Sequence, residues 1–158
     1  MKKIYLYVVT LTALFISSIA FAATNLPYDE TADSAVNIQT ALIQAKANKK
    51  NVLLIFGANW CKDCVELDRS LKGKSASLID KKFVVVKIDI GQFDKNLNIA
   101  NDYGNPIKMG IPAAVLLKPD NTVLYATHGG ELANARHMSE QGVYDFFNTI
   151  TAQRKPIE

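Results

Sequence analysis

Residues 52–64 read Val-Leu-Leu-Ile-Phe-Gly-Ala-Asn-Trp-Cys-Lys-Asp-Cys, and this stretch decides the fold. Its first five residues form a continuous apolar run, which is typical of a strand buried on both faces of a sheet. Residues 57–59 are predicted to form the turn after this strand, and a helix over about 60–72 follows. The apolar positions of that helix recur at helical spacing and are Cys64, Leu67 and Leu71. Both cysteines of the chain therefore stand where a buried strand passes into a helix.

The remaining elements can be predicted outward from this stretch. In chain order they are a helix over about 34–49 capped by Asp33 or Ser34, the strand 52–56, the helix 60–72 ended by Gly73, a short helix from Ser75 to Lys82, a strand over 83–90, a helix over 94–103, a hairpin of residues 114–117 and 122–126, and a helix over 139–152. Residues 24–32 are expected to be an irregular lead-in. This order indicates one α/β domain, in which a central mixed sheet carries helices on both faces.

The N-terminal segment has the pattern of an export signal. Lys2 and Lys3 precede an apolar run over 4–19, which closes with the small-x-small triplet Ala20-Phe21-Ala22. We expect residues 1–22 to be a signal peptide and residues 23–158 to be the exported domain. An uncleaved membrane anchor is the alternative, because the run is almost long enough to span a bilayer. Both interpretations place the domain outside the cytoplasm, and the periplasm is the expected compartment.

Composition and charge argue against several classes of partner. About half of the residues are apolar, at 49%, which suits a packed globular domain. Without Lys2 and Lys3 the 18 basic residues fall to 16, against 15 acidic ones. This near-neutral balance gives no electrostatic footprint for nucleic acid, and none for a membrane surface once the signal is removed.

The two cysteines carry the chemistry that the sequence predicts. The first N–H groups of a helix are unpaired and present partial positive charge, so a thiolate at Cys61 is stabilised there. The thiolate is the attacking species, which makes Cys61 the candidate nucleophile. Cys64 lies one turn further along and faces inward. It is placed to attack a mixed disulfide formed by Cys61 and to release the partner protein.

Other uses of the same two thiols stay open at this point. A structural disulfide is one, although a bridge closing so short a loop constrains the unfolded chain little. A metal site is another, but the remaining soft ligands, His128 and His137, miss the usual zinc spacing. Copper(I) held by the two thiolates alone, or a motif that only binds a partner, is also compatible with the pattern. His128 itself is expected to face solvent.

Two motifs carry a resemblance to a known family. With Trp60-Cys61-x-x-Cys64 after an apolar strand, and Gly110-Ile111-Pro112-Ala113 just before the hairpin, residues 33–152 resemble the thioredoxin superfamily. The likeness is greatest to its exported, disulfide isomerase-like branch. The resemblance implies a thioredoxin fold and a cis Ile111–Pro112 bond near Cys61. It also implies that the backbone of Ile111 pairs with a substrate strand. Trp60 would offer an apolar surface to a partner or cap the core, and Gly129-Gly130 would form a turn near the site.

The chain also departs from the thioredoxin pattern. Lys62-Asp63 stand between the cysteines where thioredoxins usually have Gly-Pro, so the redox potential cannot be transferred. Ile55 occupies the position of the family's buried acid, six residues before the first cysteine. Glu66 or Asp68 could replace this acid from the helix, but we expect both to be plain surface carboxylates. Arg69 stands where the family has a helix-kinking proline.

These observations predict an enzyme that exchanges disulfides with protein substrates, acting as a periplasmic reductase or general oxidoreductase. Cys61 and Cys64 would be catalytic, and Trp60, Ile111 and Pro112 would bind the substrate. No dissociable cofactor and no metal are expected, because the dithiol is itself the redox group. An unidentified redox partner must recycle it, and the chain is expected to be a monomer. The alternative is a copper(I)- or partner-binding module that uses the same thiols without turnover.

Overall fold

The computed structural model describes residues 26–152, and the expected signal peptide, residues 1–22, lies outside this range. The helices are α1 (Ser34–Asn48), α2 (Lys62–Lys72), α3 (Ala76–Lys82), α4 (Leu97–Asp102) and α5 (Glu140–Ala152). The strands are β1 (Asn51–Gly57), β2 (Phe83–Asp89), β3 (Ala113–Leu117) and β4 (Val123–Ala126). Two short 3₁₀ segments, Pro106–Met109 and Ala135–His137, complete the described part of the chain.

The four strands form one mixed sheet in the order β2-β1-β3-β4. Strand β1 pairs in parallel with β2 and antiparallel with β3, and β3 pairs antiparallel with β4. The central position of β1 explains its apolar run, because residues 52–56 are fully buried between helical layers. Helix α1 packs on β1 and β2, whereas α2, α3 and α5 pack on one another. The predicted α/β class, with a mixed sheet and flanking helices, is confirmed.

Most element boundaries agree with the sequence prediction, and the deviations have local causes. The helix predicted over 94–103 begins only at Leu97, because Asn96, its N-cap, adopts a left-handed backbone conformation. The helix predicted from residue 60 begins at Lys62, since Cys61 has an extended backbone as its N-cap. Phe146 in α5 is half-buried, and its ring stacks edge-on with Tyr125.

The lead-in differs from expectation in one respect that bears on the site. Residues 26–33 contain no helix or strand, as predicted, yet Tyr28 is packed into the core and is only 2% exposed. Across residues 26–152, none of the helices combines the length and the apolar character that crossing a bilayer requires.

Candidate active site

The two cysteines lie where β1 passes into α2. Cys61 is the N-cap of α2, and the Cys64 N–H donates a hydrogen bond to Cys61 Sγ at 3.2 Å. The sulfur therefore takes the place that a Ser or Asp oxygen usually occupies at a helix start. Cys61 retains 6% exposure and Cys64 none, and both are free thiols. One sulfur thus lies at the edge of the surface and the other lies beneath it.

The environment drives the acidities of the two thiols in opposite directions. A hydrogen bond from the Cys64 thiol, together with backbone N–H groups at the start of α2, lowers the pKa of Cys61 to about 7. Hydrogen bonding to Cys61 and burial both raise the pKa of Cys64. Cys61 is therefore the thiol that ionises around neutral pH, and Cys64 remains its protonated partner.

The loop before β3 closes over the nucleophilic sulfur. The Ile111–Pro112 peptide bond is cis, and the Cys61 thiol lies 3.7 Å from the Ile111 carbonyl oxygen. The structure thus brings Cys61 together with the proline loop, fifty residues away in the sequence. Gly130, with φ +76°, lies against the Met109 carbonyl at the base of this loop, and a Cβ atom there would approach that oxygen to 3.0 Å. The glycine turn is therefore adjacent to the site and supports the proline loop.

Trp60 lies on the surface beside Cys61 and does not cap the core. Its side chain is 49% exposed, and its indole N–H donates to the Gly91 carbonyl at 2.8 Å. The ring packs against the half-exposed Phe93, with the centroids 6.2 Å apart. The indole is therefore fixed in orientation while one side remains open to a partner.

The two residues between the cysteines have unequal surroundings. Lys62 is exposed, whereas Asp63 is buried and binds Arg136 from the 3₁₀ segment that follows β4. Both the backbone N–H and the Nε–H of Arg136 donate to Asp63 Oδ1, at 2.9 and 3.2 Å. The charge of Asp63, which by itself raises the pKa of Cys61, is thus partly compensated.

The expectation that Glu66 and Asp68 are both plain surface carboxylates is wrong for Asp68. Glu66 does pair with the exposed Arg69 on the outer side of α2. Asp68, however, is only 7% exposed and contacts Lys87 Nζ at 3.0 Å and Lys72 Nζ at 2.7 Å. The reason is that β2 places Lys87, the only cation in that strand, directly behind α2. The two lysines hold the pKa of Asp68 below its usual value, although burial opposes them.

Ile55, in the position of the family's buried acid, is completely buried and brings no polar atom to the site. Sequence reasoning missed a polar group that does reach it, the hydroxyl of Tyr28. Burial first, and then the neighbouring cysteines, raise the pKa of this phenol well above its usual value. A signal was present in the sequence, since Gly57 at the end of β1 leaves a space that some other side chain must fill.

The remaining candidates lie apart from the thiols. His128 faces solvent, as expected, and its backbone N–H is held by the Glu131 carboxylate at 3.2 Å. Within residues 26–152, no cluster of three or more His, Cys, Asp or Glu side chains is arranged to hold a metal ion. The site therefore consists of two thiols, a proline loop, an open indole and buried charged groups behind them.

Comparison with known proteins identifies relatives of this chain. A family model described as thioredoxin-like matches residues 33–119. A thioredoxin from Buchnera aphidicola subsp. Baizongia pistaciae is 38% identical over 89 residues, covering 56% of this chain and 73% of that protein. The crystal structure of a disulphide isomerase from Xylella fastidiosa Temecula1 is similar with a TM-score of 0.79 at 55% identity. The match covers 82% of this chain and 99% of that one.

A more distant likeness concerns the fold alone. The C-terminal domain of Neisseria meningitidis DsbD, in its oxidised form, has a TM-score of 0.55 at 20% identity. That match covers 78% of this chain and 97% of the domain. Sequence and fold together thus relate the chain to a thioredoxin and to a disulphide isomerase.

Proposed function

The chain belongs to the thioredoxin-like family and is a protein-disulfide oxidoreductase, and from this premise we propose that it is a periplasmic reductase or general oxidoreductase acting through Cys61 and Cys64. The observation that carries the proposal is the opposed acidity of the two thiols beside the Ile111–Pro112 loop. The Lys-led apolar segment that ends at Ala22 supports an exported location.

The reaction follows from the positions of the two sulfurs. The Cys61 thiolate attacks one sulfur of a substrate disulfide, so that a Cys61–substrate bond forms and the substrate bond breaks. The first substrate sulfur leaves as a thiolate and takes up a proton. Cys64 then loses its proton and attacks Cys61 Sγ, which forms the Cys61–Cys64 disulfide and releases the second substrate thiol. Two electrons pass to the substrate, and an external dithiol must return them.

Substrate binding is assigned to the surface around the nucleophile. Trp60 offers an apolar face to the partner, and the backbone of Ile111 is proposed to pair with an extended segment next to the substrate cysteine. Because Cys61 is nearly buried, a substrate has to place its sulfur between the indole and the proline loop. Protein disulfides in exposed, extended segments are therefore the proposed substrates.

Insulin reduction by dithiothreitol tests this function. The wild-type chain is expected to raise the rate of insulin reduction above that with dithiothreitol alone, and Cys61→Ser is expected to abolish the increase. Equal rates for the two proteins would exclude the proposed function. Tight copper(I) uptake without turnover would instead identify a metal-binding module. The reduction potential, measured against glutathione, then decides in which direction the protein works.

A further inference from the structure

Cys64, the resolving thiol, lacks the buried acid that thioredoxins place beside it, because Ile55 stands in that position. Cys64 is completely buried, and its pKa is raised, yet it must become anionic to attack the mixed disulfide. An anionic sulfur needs hydrogen-bond donors in such a place, because burial disfavours charge. Ile55 supplies none from β1, and the backbone N–H of Ala58, which lowers the pKa of Cys64, does not offset the effects that raise it. A further donor would therefore favour the anionic sulfur.

The hydroxyl of Tyr28 reaches the same small space as Cys64 Sγ. A Cβ atom added to Gly57 would overlap the Tyr28 hydroxyl and would lie only 2.9 Å from Cys64 Sγ. The absence of a side chain at Gly57 is thus what allows oxygen and sulfur to approach each other. The phenol is 2% exposed, and its oxygen has no hydrogen-bond partner among residues 26–152.

The position of Tyr28 is determined by the active-site turn itself. Asn59, two residues before Cys61, accepts a hydrogen bond from the Tyr28 N–H at 3.0 Å and donates one to the Tyr28 carbonyl at 2.8 Å. On the other side, Lys87 Nζ lies 5.5 Å from the centre of the ring. These contacts hold the hydroxyl in place, so that no reorganisation is needed when charge develops on the sulfur.

We propose that Tyr28 is a further catalytic residue of the resolving step, whose hydroxyl donates a hydrogen bond to Cys64 Sγ as that sulfur becomes anionic. This proposal rests on the proposed function, since it presumes that Cys64 resolves a mixed disulfide on Cys61. A buried donor left unpartnered in the resting dithiol is unfavourable, and pairing it with a developing thiolate removes that cost. The interaction is therefore stronger in the transition state than in the ground state, which is what accelerates a step.

Tyr28 donates a hydrogen bond but does not take up the proton. Its raised pKa keeps the phenol protonated throughout the working pH range. The proton that Cys64 loses goes to the departing substrate sulfur, or to buffer when the leaving thiol is acidic. Cys64 Sγ forms the bond to Cys61 Sγ, the Cys61–substrate bond breaks, and the phenol is unchanged at the end of the step.

A two-phase reaction with dithiobis(nitrobenzoate) separates this role from the chemistry of Cys61. Attack by Cys61 releases the first thionitrobenzoate, and attack by Cys64 on the resulting mixed disulfide releases the second. We expect Tyr28→Phe to leave the first phase unchanged and to slow the second about tenfold at neutral pH. The pH at which the second phase is half-maximal should also rise. Tyr103→Phe is the matched control, because it removes a hydroxyl that bonds Asn121 on the exposed surface.

The outcomes distinguish the two proposals. If Cys61→Ser releases thionitrobenzoate as fast as the wild-type chain, the proposed function itself fails. If the first phase is normal and Tyr28→Phe matches Tyr103→Phe in the second phase at every pH, only the role of Tyr28 fails. Equal slowing of both phases by Tyr28→Phe would assign the phenol to packing alone and would also overturn the proposal.

Discussion

Arg136 binds the carboxylate of Asp63 through two donors that converge on one oxygen, Oδ1. Asp63 stands between the two cysteines, and Arg136 comes from the far end of the chain, after the last strand. One donor is the backbone N–H and the other is the guanidinium Nε–H. A side-chain substitution at position 136 therefore removes the positive charge while the backbone still holds the carboxylate.

Removing this charge should make Cys61 less acidic. In Arg136→Met, the uncompensated charge of Asp63 is expected to raise the pKa of Cys61 by about half a unit, because the half-exposed guanidinium is screened by solvent. The rate of Cys61 alkylation by iodoacetamide, measured below pH 7, should fall about threefold. Arg69→Met, which loses only the outward pair with Glu66, should not change the rate. A rate change of equal size in the Asp63→Asn background would contradict the assigned cause.

Because the pKa values of the two thiols are shifted in opposite directions, the stability of the reduced protein should depend on pH. The lowered pKa of Cys61, at about 7, adds stability that is lost as the pH falls through 7 and is complete above the unfolded value of about 8.5. The pKa of Cys64 is raised in the folded chain, so its contribution to stability is complete at pH values below the pKa of an unfolded thiol, about 8.5, and is lost at higher pH. Stability should therefore rise from about pH 7 to about pH 8.5 and fall at higher pH.

Urea unfolding of the reduced chain at a series of pH values measures this curve. The Cys61→Ser, Cys64→Ser double variant serves as the reference, because all other titrating groups are retained. The difference in the free energy of unfolding between the two proteins should be greatest near about pH 8.5. A difference that does not vary with pH would mean that the thiols have ordinary acidities.

The buried ion pair between Asp68 and Lys87 should contribute more to the free energy of unfolding than the exposed pair between Glu66 and Arg69. Lys87→Met leaves Asp68 buried with only Lys72 beside it, and we expect a loss of about 3 kcal/mol in the free energy of unfolding. The double variant Asp68→Leu, Lys87→Met should recover most of this loss, since no unpaired charge remains. Arg69→Met should have no measurable effect, because that pair is exposed. Equal losses in Lys87→Met and Arg69→Met, by urea unfolding, would refute this view of the pair.

Trp60 should be needed for protein substrates and not for small ones. Trp60→Ala is expected to raise KM for insulin about tenfold, because a large aromatic contact is lost. The first phase with dithiobis(nitrobenzoate) should change by less than about twofold, since a small disulfide makes little use of that surface. Ile43→Ala is the control, because Ile43 is also a large, exposed apolar residue but lies on α1. A parallel loss with both substrates would indicate that the indole acts on Cys61 itself.

The sequence by itself determined the class of fold and the identity of the reactive pair. The apolar run of β1 indicated a buried strand, and the two cysteines followed it at a helix start. These are local properties, because strand and helix periodicity and the unpaired N–H groups at a helix start depend on neighbouring residues. The Ile111–Pro112 loop was also found in the sequence, through its resemblance to a family motif.

Only the tertiary structure decided what surrounds the two sulfurs. Tyr28 and Gly57, Asp63 and Arg136, and Asp68 and Lys87 meet across long stretches of chain. In the sequence, Tyr28 stood in an irregular lead-in and Asp68 looked like a surface carboxylate. Burial and pairing depend on which elements pack together, and local sequence patterns do not show which elements those are. Tertiary packing therefore determines how deeply the thiols are buried and which distant groups reach them, whereas the contacts that lower the pKa of Cys61 lie within residues 61–64.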